Sequence, residues 1–147
     1  MATFDIKIGK ADVLNEVRKT SAYLGVKSEG EDSYDRIALV SANDEQLERF
    51  WQECCALLNG TLHQWLAENR SDSTAYDVTL RPSESWNNAL QPSVKRASRG
   101  FLVNSILSKW LMISAPGLVD GYSQVSASEL GEVEQTMHRL KAPRHPS

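Results

Sequence analysis

The stretch NDEQLERFWQECCALLNGTLHQW, residues 43–65, decides the fold class. Asn43 is a good helix N-cap, Gln46 three positions on is its capping-box partner, and Asp44 and Glu45 suit the positive end of a helix. From there Leu47, Phe50, Trp51, Cys54, Leu57, Leu58, Thr61, Leu62 and Trp65 recur at spacings of three and four. That is the period of an amphipathic helix, and it carries the reading to about Glu68. Glu45 and Arg49 stand i to i+4 on the opposite face. Trp51 and Trp65 are fourteen residues apart, about four turns, so both belong to one core-facing stripe.

Upstream, Val13, Leu14, Val17, Ser21 and Leu24 set a second, narrower apolar stripe, which predicts a helix from about Lys10 to Leu24. Gly25 follows where a left-handed helix stop is wanted. Lys27 to Asp35 holds Gly30 and four acids and reads as an exposed loop. Ile37 to Ala42 is either a separate turn or an extension of the helix after it.

Downstream, Arg70 to Ala75 is a polar break. Tyr76-Asp77-Val78-Thr79-Leu80 places β-formers at alternate positions, as in a short strand or an extended arm, and Pro82 ends it. Ser83 to Leu90 has room for one helical turn. A long helix is predicted from Pro92, a residue suited to a first helical position, to about Ile113. Its inward set is Val94, Ala97, Phe101, Ile106, Leu107, Trp110 and Leu111. Ser114 then caps a last helix over about Pro116 to Leu140, weakened by Gly121 and Gly131. Residues 58–66 echo residues 103–111 in Asn, Leu, Trp and Leu, as two equivalent helices in one core would, or as chance between two apolar repeats would. The expected fold is all-α: an antiparallel bundle of four main helices with one short extended arm. One domain spans 1–140, and the basic, Pro-broken residues 141–147 form a flexible tail.

The 147 residues leave room for one domain, and the 41% hydrophobic share supplies a core. Apolar runs are only a few residues long, far short of the roughly 20 of a membrane helix, and the start of the chain lacks the pattern of a secretory signal. No membrane association is expected. The adjacent Cys54 and Cys55 are expected to be reduced, because neighbours make a strained disulfide. Net charge is −3 but unevenly spread. Residues 1–80 hold 14 acids and 8 bases, whereas residues 81–110 set Glu84 alone against Arg81, Lys95, Arg96, Arg99 and Lys109. That split suits self-complementary packing between copies, a basic face turned to nucleic acid, or an ordinary solvated helix face.

Catalytic and metal-binding patterns are missing. Cys54 and Cys55 diverge on a helix, and His63, His138 and His145 offer no second ligand pair, so no metal or other cofactor is expected. The glycines are scattered singly, without a phosphate loop. Glu29, Glu31, Asp32 and Asp35 lack the spacing of a calcium loop. An enzyme is not expected. Trp86, in a Ser- and Asn-rich stretch, is instead a candidate anchor for a partner.

Several segments resemble the short helical head–tail connector family of tailed phages and prophages. Tyr34 to Trp51 resembles the acidic, capped entry of that family's main helix, Asp77 to Trp86 its extended arm, and Phe101 to Leu111 the apolar helix that follows. The closing helix with Tyr122 and the ending Arg139-Leu140-Lys141-Ala142-Pro143-Arg144 resembles the family's basic tail. The likeness covers most of residues 35–144, and departs from the family in the acidic first half and the two glycines of the last helix. It implies a non-enzymatic virion protein, made in the bacterial host cytoplasm, that self-associates into a ring beneath the portal and meets portal or tail proteins. The arm, with Tyr76, Val78, Leu80 and Trp86, would touch a neighbouring copy, and Lys141, Arg144 and His145 would form the tail. Lys95, Arg96 and Arg99 are candidates, on charge alone, for a face turned to passing DNA. The alternative is a cytoplasmic helical regulator that binds protein or DNA.

Overall fold

A computed structural model describes residues 2–27, 34, 37–38 and 43–140; most of the predicted loop Lys27 to Asp35, most of the Ile37 to Ala42 turn and the tail 141–147 lie outside them. The described residues form strand β1 (Phe4–Gly9), helix α1 (Lys10–Lys27), helix α2 (Asp44–Leu62), strands β2 (Leu66–Asn69) and β3 (Ala75–Leu80), helix α3 (Gln91–Ser114) and helix α4 (Val119–His138). The architecture is a helical bundle with a small three-stranded antiparallel sheet at one end. No helix among the described residues is long and apolar enough to cross a membrane.

The helices alternate in direction. Lys10 pairs with Glu48 at 2.6 Å and Arg18 with Asp44 at 2.8 Å, so α1 and α2 run antiparallel. The short turn after α3 returns α4 along it, with Arg96 facing Glu132 at 3.5 Å. Arg99 near the start of α3 reaches Asp12 near the start of α1 at 2.8 Å. At the far end, Trp110 donates from Nε1 to the Ile37 carbonyl at 2.6 Å, three residues after Tyr34, which lies against Gly25 in the last turns of α1. α3 is the central helix: Leu102, Ile106, Leu107 and Leu111 are essentially without solvent contact.

Glycine matters at two close approaches. Gly25 lies inside α1 and not at its end as a left-handed stop, because a Cβ there would stand 2.8 Å from the Tyr34 backbone. Gly100 on α3 lets the Glu129 carboxylate lie against the helix, where it accepts from Asn104 Nδ2 at 2.7 Å. Ser114 is the last residue of α3, bonding back to the Trp110 carbonyl at 3.1 Å, and does not cap α4. Asn43 holds the N-cap position of α2 without a capping bond from its side chain.

Two corrections concern the sheet. The helix predicted to run to Glu68 stops at Leu62, where a 3-10 turn, His63–Trp65, leads into β2. Trp65 stays buried against His138, which is why the apolar period outlasts the helix, and the echo of residues 103–111 fails beyond Leu62. The extended segment Tyr76–Leu80 is present but is not an arm. It belongs to β3, the middle strand of the order β1-β3-β2, and both its edges are hydrogen-bonded within the chain. β1, read only as a charged chain start, completes the sheet.

Candidate functional site

β1 alternates buried Phe4, Ile6 and Ile8 with exposed Asp5 and Lys7, the pattern of a strand covering a core with one face. Lys10 N donates to Thr74 O at 2.8 Å, in register with the Phe4–Leu80 pairing. The even-numbered residues of β1 thus turn their peptide groups to β3. On β3 the odd-numbered residues serve β2, as in Arg70 N to Asp77 O at 2.8 Å and Arg81 N to Trp65 O at 2.7 Å. Asp5 and Lys7 therefore direct their amides and carbonyls, and Gly9 its amide, out of an edge of the sheet that no strand among the described residues pairs.

Beside that edge lies the start of α3. Val94, Ala97 and Ser98 face inward, and this rotation turns Lys95, Arg96 and Arg99 toward a groove of about 580 Å³ against β1. The three residues grouped from charge alone are thus brought together. Their charges are not equally available. Arg99 is held by Asp12 at 2.8 Å and by Glu16 at 4.0 Å. The hydrogen bond from Arg99, then its charge, keeps the Asp12 carboxyl below its ordinary 3.8, and the same bond raises Arg99. Arg96 has only Glu132, at 3.5 Å and exposed. Lys95 is exposed and has no ion pair among the described residues.

The outer face of the sheet is charged but internally neutralised. Arg70 sits among Asp5 at 3.5 Å, Asp77 at 3.2 Å and Glu68, and Thr79 Oγ1 donates to Asp5 at 2.6 Å. A third hollow, between α2 and the β2–β3 turn, holds Cys55 and Tyr76, whose hydroxyl meets Asn59 Oδ1 at 3.2 Å. Both cysteines are free. Burial, with the neighbouring Cys54 and Glu48, pushes the Cys55 thiol up to about 12, and burial also raises Cys54 and Tyr76. These thiols stay protonated at neutral pH and act as small apolar side chains. Among the described residues no three His, Cys, Asp or Glu side chains gather as a metal would require.

The predicted contact residues of the arm are in the core. Tyr76, Val78, Leu80 and Trp86 are 2%, 0%, 0% and 1% exposed. Val78 and Leu80 point under the sheet, and Trp86 stacks on Phe4 and donates to the Thr136 carbonyl at 2.8 Å. None can meet a partner without unfolding the domain. Lys141, Arg144 and His145 lie outside the described residues. The sequence reading passed over the open edge of β1, although the alternation Phe4-Asp5-Ile6-Lys7-Ile8 was a sufficient signal for a strand. No protein family, curated protein or solved structure matches this chain.

Proposed function

We propose that this chain is a non-enzymatic assembly subunit, of the head–tail connector or tail-assembly kind, that joins copies of itself into a ring and meets portal or tail proteins in the virion. One observation carries the reading: the bundle offers two unlike free surfaces at its two ends. At one end stand the edge of β1, unpaired among the described residues, and the basic groove. At the other, the last turns of α1 and α3 expose Tyr23, Val26, Met112 and Ile113, with Tyr34 against Gly25. Ring contacts are heterologous, so each copy must present two different faces. Exposed apolar side chains grouped at one end are also what an interface core uses.

Passing DNA would meet Lys95 and Arg96 as a weak, sequence-independent contact. The alternative of a DNA-binding regulator is less favoured, because Arg99 is already held by Asp12 and Glu16, and Lys95 with Arg96 is a small charge to set against a phosphate backbone. The test is native mass spectrometry of the full chain over a range of concentrations, with quantitation of the chain in purified phage particles. A closed oligomer and on the order of a dozen copies per particle are expected of a cyclic assembly. A monomer at every concentration that is absent from particles overturns the reading.

A further inference from the structure

We propose that the open edge of β1, together with Lys95 and Arg96, is a docking site for an extended, acid-bearing segment of another polypeptide, which adds to the sheet as a fourth strand. It rests on the assembly reading for its biological setting only. The edge is a ready template: a regular six-residue strand whose pairing with β3 runs without a bulge from Phe4 to Gly9. β2, the other edge, has four residues and a register shift between Leu66 and Glu68, features that protect an edge from pairing. On β1 such devices are limited to the charged side chains of Asp5 and Lys7.

Charge selects the occupant. The acids beside the edge are already engaged, Asp5 by Thr79 and Arg70 and Asp12 by Arg99. Lys95 and the loosely held Arg96 leave the groove with available positive charge. A second copy pairing through the same edge would set Lys95 and Arg96 against their own counterparts, and like charges at close quarters are rejected. A strand bearing carboxylates meets neither obstacle. Its backbone completes the hydrogen bonds of Asp5, Lys7 and Gly9, and its side chains answer the two bases.

The experiment uses the isotope-labelled full chain and a blocked ten-residue peptide alternating glutamate with valine and threonine, followed by amide chemical shifts at physiological salt. Saturable shifts are expected at Asp5, Lys7, Gly9 and Lys95 to Arg99. The double variant K95E/R96E should weaken binding about tenfold or more while thermal unfolding stays unchanged, since both side chains are exposed. Lys7→Pro, which removes one outward amide at a position where an edge strand tolerates proline, should abolish it. Should Lys7→Pro disturb folding, the charge-reversed pair carries the test. No saturable shift, equal binding to K95E/R96E, equal binding of a lysine-for-glutamate peptide, or displacement by duplex DNA with a steep salt dependence each overturns the proposal. Peptide capture by the isolated chain and copy number in particles are separate readouts, so this inference and the assembly reading can fail independently.

Discussion

The indole of Trp86 stacks on Phe4 with centroids 5.1 Å apart and planes 4° from parallel, while its Nε1 donates to the Thr136 carbonyl. One side chain thus ties β1, the connection into α3 and the end of α4. Its surroundings in sequence are polar and suggested an exposed anchor, because a local window cannot record which distant residues close over it. Trp86→Ala should cost about 3–5 kcal/mol in urea unfolding of the full chain, as removal of a large buried aromatic does. Trp86→Phe keeps a ring on Phe4 but removes one of two hydrogen bonds to the Thr136 carbonyl, which also accepts from Arg139 N at 3.1 Å, and a smaller loss of about 0.5–1.5 kcal/mol is expected. Stability unchanged by Trp86→Ala would mean that the residue lies outside the core. Trp51, Trp65 and Trp110 present the easier case. Their apolar positions recur with the helical period, and all three are buried as that period implies.

At the level of elements, periodicity located α1, α3 and α4 to within a few residues, since each keeps one face against a common core. It failed where a buried side chain persists after the backbone has changed course, as at Trp65. β3 is the element whose role changes most. Deleting Tyr76–Pro82 from a free arm would leave the domain folded, whereas removing the middle strand separates β1 from β2 and exposes Ile6, Ile8 and Val78. The deletion is therefore expected to abolish cooperative thermal unfolding and amide shift dispersion. A deleted chain that still unfolds with a sharp transition would restore the arm.

Over the whole molecule, the acidic first half and the basic stretch 81–110 are largely answered within the chain. Arg99 meets Asp12 and Glu16 of α1, and Lys109 meets Glu53 of α2 at 3.1 Å. These pairs fasten α3 to its neighbours and make part of the stability depend on acid. Because Arg99 holds Asp12 below its ordinary 3.8, the folded chain binds its proton less readily than the unfolded chain. The stabilisation is therefore present above that ordinary value and is lost as pH falls through the lower, folded one. Urea midpoints followed from about pH 5 to pH 2 should decline less steeply in Asp12→Asn than in the wild type. Identical slopes would remove Arg99–Asp12 from the acid response.

The helical class, the number of main helices and the core tryptophans on helices follow from the sequence by itself, because a helix reports its buried face locally, every three or four residues. Strand pairing carries no such local record. Whether Tyr76–Leu80 is an arm or a middle strand depends on Phe4–Gly9, some seventy residues away, and on the peptide-group parity between them. The availability of Lys95, Arg96 and Arg99 likewise depends on acids from α1 and α4. Those choices were made only by tertiary structure, since each is a contact between residues far apart along the chain.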